Sequence, residues 1–280
     1  MRQLAVKLAD VTLAVRQHGD PGPGADFLLV HGLASNARLW DETAAALAEA
    51  GHRAWAVDLR GHGESTLPEG DVGTATAAAD LAAVCAALSL QSVVVAGQSW
   101  GGNVAVLLAA QRPDLVTGLA LVDGGWIDLA AQFASWEECE RALRPPAVDG
   151  MRFSALLDLL RDAHPDWSET AIRATAHNLR ELPDGTVERR LPIPRHMEIV
   201  RDMWDSPPWP WLPRIIAPAL LLPAVPDGDR GAAVRGRVAR AAAELPDARV
   251  RDYPGGDHDL HAQRPKEVAA DLLSLVGEGR

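Results

Sequence analysis

An apolar run, Val93-Val94-Val95-Ala96, leads directly into Gly97-Gln98-Ser99-Trp100-Gly101-Gly102 and then into the helix-forming stretch from Asn103 to Ala110. A Gly-x-Ser-x-Gly set between a strand and a helix makes the backbone reverse through a tight, strained turn that lifts the serine hydroxyl out of the sheet. The helix that follows points its positive end at the same spot and favours negative charge developing there. Ser99 is therefore the candidate nucleophile, and the chain must supply a sheet of buried strands alternating with helices to hold it.

It does so along most of its length. Residues 3–8 and 11–16 alternate apolar with polar around Ala9-Asp10, which predicts an opening antiparallel hairpin. Short unbroken apolar runs follow at 27–30, 54–57, 93–96, 119–122, 219–222 and 248–251, as expected of parallel strands covered on both faces. Between them, 38–50, 75–88, 101–111, 231–244 and 262–276 have helical spacing, so the pattern predicts a doubly wound α/β sheet. The rhythm breaks between Gly124 and Pro213, where no strand-like run occurs and six of the nine tryptophans fall. Helices are expected there at 135–143, 153–163, 168–180 and 194–204, punctuated by Pro145-Pro146, Pro183-Asp184-Gly185 and Pro207-Pro208-Trp209-Pro210. The division expected is a core of 1–123 and 214–280 with a helical cap of 124–213.

With 280 residues, 48% of them apolar, the chain can bury one large core with an insertion. The 27 Lys and Arg against 38 Asp and Glu leave a net charge of −11, which disfavours nucleic acid and anionic lipid as partners. Cys85 and Cys139 show neither CxxC nor Cys/His spacing, and there is no HExxH and no Gly-x-Gly-x-x-Gly, so no disulfide, metal or organic cofactor is expected. The start of the chain lacks an apolar leader-like segment, and no run approaches the ~18 apolar residues of a membrane span. A cytoplasmic location and a small-molecule substrate are the resulting expectations.

A serine nucleophile needs donors for an oxyanion and a base. His31-Gly32-Leu33 follows the strand at 27–30, so the backbone N–H of Leu33 can join that of Trp100 as an oxyanion donor. The base is expected in Pro254-Gly255-Gly256-Asp257-His258-Asp259-Leu260-His261, in the loop beyond the last strand at the sheet's carboxyl edge. His258 is the candidate; His261, at the edge of the next helix, reads as a structural, hydrogen-bonding histidine.

His31-Gly32, Asp58-Leu59-Arg60-Gly61-His62-Gly63-Glu64-Ser65, Gly97 to Gly102 and Gly256-Asp257-His258 with Arg264-Pro265, taken in this order, resemble the α/β-hydrolase superfamily, specifically its small, lid-bearing, esterase-like members. The resemblance spans nearly the whole chain. It implies a structural turn for Asp58 to Ser65, so neither Asp58 nor His62 is assigned to catalysis. It also implies an acid about five residues beyond the strand at 219–222, which selects Asp227, with Asp229 close by. Some relatives take the acid from the end of the preceding strand, which here is Asp123. Two departures stand out: Asp257 directly precedes the histidine, and Ala224 replaces the usual glycine in a loop with an extra proline.

The activity implied is hydrolysis of a carboxylic ester, lactone or thioester through an acyl-enzyme. Carbon–carbon or small amide bonds are alternatives, and a hydrolase-fold ligand receptor or lyase would be another class. Serine at position 99 argues against the epoxide hydrolases and dehalogenases, which need a carboxylate nucleophile. The Trp after the serine is similar to proline iminopeptidases, for which Glu137, Glu138 and Glu140 would be candidate amine partners. Of the many aromatic residues, Trp100 and Trp126 are expected to approach substrate, while Phe133, Trp136, Trp204, Trp209 and Trp211 are expected to hold the cap to the core; His177 and His196 read as structural.

Overall fold

A computed structural model describes residues 1–276; residues 277–280 of the expected core segment lie outside the described residues. Strands β1 (Arg2–Lys7) and β2 (Thr12–His18) form the opening antiparallel hairpin. Then come β3 (Asp26–Val30), a 3₁₀ turn at Ala37–Trp40, α1 (Asp41–Glu49), β4 (Arg53–Val57), α2 (Thr74–Ala87), β5 (Val93–Gln98), α3 (Trp100–Gln111) and β6 (Val116–Val122). The insertion contributes α4 (Leu129–Gln132), α5 (Trp136–Leu143), α6 (Phe153–Ala163), α7 (Glu169–Ala176), β7 (Leu179–Glu181), β8 (Val187–Arg189) and α8 (Ile193–Asp205). The chain rejoins the sheet with β9 (Ala219–Leu222), followed by β10 (Ala224–Val225), α9 (Gly228–Glu244), β11 (Ala248–Val250), β12 (Tyr253–Pro254), α10 (Leu260–Gln263) and α11 (Pro265–Leu273).

Eight strands form the main sheet in the order β1-β2-β4-β3-β5-β6-β9-β11, with β2 antiparallel to both its neighbours and the rest parallel. The unbroken apolar runs conceal a period of two. Leu28, Val30, Val93, Val95, Leu119 and Leu121 pack into one core with α2, α3 and α9, while Phe27, Leu29, Val94, Ala96, Ala120 and Val122 pack into the other with α1 and α11. Fully burying one such Leu or Val side chain is worth about 1.5–3 kcal/mol, so a sheet buried on both faces is fixed in register along its whole length.

Three expectations need correcting. The helical spacing at 168–180 holds only to Ala176; beyond it the chain forms the β7–β8 hairpin, turned by Pro183-Asp184-Gly185, so the insertion is not wholly helical. The 262–276 helix is two helices, because Pro265 has no N–H to continue α10 and instead occupies the first turn of α11. The stretch expected as one helix at 38–50 opens with a 3₁₀ turn, where the Asn36 side chain accepts the N–H of Arg38.

The insertion is tied to the core at defined points. Asp202 of α8 accepts both the N–H and the hydroxyl of Thr74, at 2.7 and 2.6 Å, which caps α2 from outside its own sequence. Asn36 donates to the Ala174 carbonyl and to Asn178. Trp126, Leu129, Ile199, Val200 and Met203 join the core of the sheet face that carries α3, whereas Leu156, Leu157, Trp167 and Ile172 form a separate small core with Leu39.

Candidate active site

The turn between β5 and α3 is as strained as the sequence demands: Ser99 has φ 53° and ψ −123°. That conformation survives because the helix start is pressed against the end of β3. A Cβ on Gly101 would sit 2.3 Å from the His31 carbonyl oxygen, so only glycine allows the approach. Trp100 is fully buried and donates its indole N–H to the Thr74 hydroxyl at 3.0 Å, which connects the elbow to the Asp202 cap.

His258 lies on the loop between β12 and α10, and its Nε2 is 2.9 Å from the Ser99 hydroxyl. Its Nδ1–H donates to Asp123 Oδ2 at 2.6 Å, which fixes the tautomer and leaves Nε2 free to accept the serine proton. Asp123 stands at the end of β6 with φ 42°, and its other oxygen accepts the Ala224 N–H at 3.1 Å. A Cβ on the next residue, Gly124, would lie 2.1 Å from the Ser99 carbonyl oxygen, so the strand ends of β5 and β6 are packed backbone to backbone.

The carboxylate brought to His258 is thus that of Asp123, not that of Asp227 or Asp229. The physical reason lies in the two features that depart from the family loop. Ala224-Val225 pairs with Tyr253-Pro254 as an extra two-stranded ladder, and Pro226 then hands the chain to α9, for which Asp227 is the exposed N-cap residue. Asp229 is exposed in the first turn of the same helix.

Burial opposes a proton on His258, but the hydrogen bond to Asp123 and the charges of Asp259, Asp123 and Asp257 outweigh it, pushing its pKa up to about 9. The side chain is 52% exposed, so water softens the burial penalty and the acidic neighbours set the direction. The loop is held from two sides. Gln98 donates from Nε2 to the His258 carbonyl at 3.0 Å, and Asp257 meets His164, at the end of α6, at 2.9 Å. Gln98 was visible in the sequence only as the variable letter of the serine motif.

Leu33 and Trp100 line one cavity together with Ser99, Asp123 and His258, and neither backbone N–H has an intramolecular acceptor among the described residues. Two neutral histidines hold the loop that carries Leu33. His31 donates from Nδ1 to the Gly32 carbonyl and accepts the Leu59 N–H at Nε2; His62 donates to the Arg60 carbonyl and accepts the Ala34 N–H. Burial pushes their pKa values down to about 4 and about 3. Asp58 accepts the N–H groups of Ala37 and Glu64, a turn-forming role away from the serine. His261 is structural but not by hydrogen bonding: both ring nitrogens are buried without a partner, and the ring stacks on Trp40 at 4.2 Å.

The cavity measures about 420 Å³, within the range of small-molecule sites. Trp126 lines it, as do Ile127, Leu129, Leu143, Val200 and Met203. His196, read as structural, also faces it while bonding the Leu143 carbonyl, and Arg237 of α9 was not foreseen there at all. Trp209 instead donates to Asp128 and carries Arg240 on its face, and Trp136 stacks edge-on against Trp204. Among the described residues no His, Cys, Asp and Glu cluster has the arrangement of a metal site, and no helix is long and apolar enough to cross a membrane.

A doubly wound sheet that presents serine and carboxylate at the ends of two neighbouring strands, with an imidazole brought to them by the loop after β12, follows the plan of the α/β-hydrolases. The chain belongs to the alpha/beta hydrolase fold family, whose model matches residues 27–265. It is 32% identical over 189 residues to "Esterase Rv0045c" of Mycobacterium tuberculosis, a match covering 66% of this chain and 62% of that protein. Three uncharacterized mycobacterial relatives match over 31% of their length at 37% identity, so the chain spans well under two thirds of these relatives. "Lipase LipV" of the same species is 29% identical over 95% of this chain and 98% of its own. Among solved structures, that of E-2-(acetamidomethylene)succinate hydrolase superposes with a TM-score of 0.79 at 23% identity, covering 98% of this chain and 99% of the other. The thioesterase domain from the curacin biosynthetic pathway gives 0.77 at 21% identity, covering 98% and 99%. These two likenesses speak for the fold.

Proposed function

We propose that the chain is a serine hydrolase that cleaves a carboxylic ester or thioester through an acyl-enzyme, with Ser99, His258 and Asp123 as its triad. The observation that carries this reading is the continuous line from Asp123 Oδ2 through the His258 ring to the Ser99 hydroxyl, at 2.6 and 2.9 Å. His258 Nε2 takes the Ser99 proton as Oγ attacks the carbonyl carbon, and the Leu33 and Trp100 N–H groups hold the oxyanion. The protonated imidazole, stabilised by Asp123, then gives its proton to the leaving alkoxide or thiolate. Water, deprotonated by the same ring, attacks the acyl-enzyme carbonyl; the acid leaves and Ser99 regains its proton. The names of the relatives, an esterase and a lipase, support ester chemistry. Residues 124–213 serve as the cap that supplies Trp126, Ile127, Leu129, Leu143, Val200 and Met203 to an apolar substrate body.

The test is a burst of p-nitrophenol from a short-chain p-nitrophenyl ester at one equivalent per chain, abolished in Ser99→Ala. If neither a panel of esters nor one of thioesters is turned over faster by wild type than by Ser99→Ala, the proposal fails.

A further inference from the structure

Among the described residues, the cavity wall is apolar apart from the triad, Gln132, His196 and one cation, Arg237. Helix α9 places that cation by its period: Val234 and Arg237 line the cavity, while Val238 and Ala241, on the same face, are buried in the core. Of the other arginines of α9, Arg230 is exposed in the first turn, and the remaining two are engaged. Arg235 pairs with Asp252 at 2.7 Å, and Arg240 lies 3.7 Å over the ring of Trp209. Arg237 is half-buried, yet among the described residues no carboxylate comes within 4.0 Å of its guanidinium. Asp123, the one acid among the described residues that line the cavity, is already engaged by His258 and the Ala224 N–H. His196 adds no negative charge; burial holds its pKa down, so at neutral pH it is an uncharged ring bonded to the Leu143 carbonyl.

An unpaired cation on an apolar wall is costly in the empty protein and becomes favourable when a bound anion completes it. A chain with a net charge of −11 repels anions in general, so an anionic substrate would need a dedicated positive contact. A single guanidinium offers a planar fork that matches one carboxylate, whereas a phosphate dianion calls for further donors. From this we infer that Arg237 is a specificity-determining residue and that the substrate is an ester or thioester with an apolar body ending in a carboxylate. The inference rests on the proposed hydrolase reading; the reactive carbonyl sits at Ser99 and the carboxylate at Arg237, with the aliphatic body between them along the Trp126, Leu129 and Val200 wall.

The experiment compares kcat/KM for matched pairs of p-nitrophenyl esters: hexanoate against the mono-ester of adipic acid, and octanoate against the mono-ester of suberic acid. Wild type is expected to favour the acidic member of at least one pair by about tenfold or more, as a charge-assisted hydrogen bond allows. The acidic-to-neutral ratio should collapse toward unity in Arg237→Gln, recover in part in Arg237→Lys and invert in Arg237→Glu. Added salt should lower the ratio in wild type and leave it flat in Arg237→Gln. A wild-type ratio at or below one in every pair, or a ratio unchanged by the three substitutions, overturns the inference while Ser99-dependent hydrolysis of the neutral esters keeps the hydrolase reading intact. If neither an ester nor a thioester is hydrolysed by a Ser99-dependent route, the hydrolase reading falls instead. Titration of Ser99→Ala with monoethyl suberate, with and without Arg237→Gln, then decides the anion site by itself: binding weakened about tenfold or more by the substitution supports it, and equal or absent binding overturns it.

Discussion

Three histidines, His31, His62 and His261, are buried to within 2% of their surface and held neutral, with pKa values pushed down by burial to about 4, about 3 and about 3. In the unfolded chain each titrates near the ordinary value of about 6.5. Below that point the unfolded chain binds protons that the folded one refuses, so stability falls with pH by about 1.4 kcal/mol per unit for each ring. At about pH 5 each has cost about 2 kcal/mol, and the three together about 6 kcal/mol, a large share of the roughly 5–15 kcal/mol that stabilises a folded domain. The loss continues to about 4 for His31 and about 3 for the other two, and His177 and His196, shifted the same way, steepen it. His258 has the opposite sign. Its contribution is complete below the unfolded value and is lost as pH rises through about 9, so in the acidic window it is protonated in both states and drops out.

His261→Phe isolates one ring. It keeps the stacking on Trp40 and gives up no hydrogen bond, since both nitrogens are unpartnered. Urea unfolding at about pH 7 and about pH 5 should show wild type losing about 6 kcal/mol or more and the variant about 2 kcal/mol less. At neutral pH the variant should be no less stable than wild type, because a buried unsatisfied polar ring has been replaced by an apolar one of similar shape. Equal losses for the two proteins across that interval would show that His261 is not held neutral by burial.

The raised pKa of His258 predicts that kcat/KM climbs about tenfold per pH unit through neutrality and levels off only in the alkaline range, because the ring must be neutral to take the Ser99 proton. Asp259→Asn removes one of the charges responsible and should move that limb toward lower pH while the plateau is kept; a limb that does not move contradicts the electrostatic account. Gln98→Leu removes the donor to the His258 carbonyl and should lower kcat about tenfold or more with little change in KM, read by steady-state kinetics on one ester. Asp202→Ala uncaps α2 and frees the insertion at one anchor, costing about 1–2 kcal/mol by urea unfolding.

The sheet was legible because strands buried on both faces must be written as unbroken apolar runs, and the serine because a strained elbow demands glycine at defined offsets. His258 followed from chain order alone, as the imidazole beyond the last strand. The acid did not. Asp123 and Asp227 both stand after apolar strands, and the choice between them depends on a two-residue ladder and a helix cap that no local pattern announces. The β7–β8 hairpin was hidden for a related reason: three residues per strand are too few to show a period of two against the helical spacing before them. Arg237 escaped notice because a helix period tells which residues face inward but not that the inward side opens on a cavity.

A Ser99 nucleophile driven by His258 and Asp123 is read out by the rate at which a fluorophosphonate modifies the protein, followed by intact mass and located by peptide mapping. One adduct per chain is expected on Ser99 and none in Ser99→Ala, with a rate reduced by several orders of magnitude in Asp123→Asn on the precedent of about ten-thousandfold for a triad carboxylate, and a rate unchanged in Asp227→Asn. Labelling that persists in Asp123→Asn and is lost in Asp227→Asn would contradict this triad.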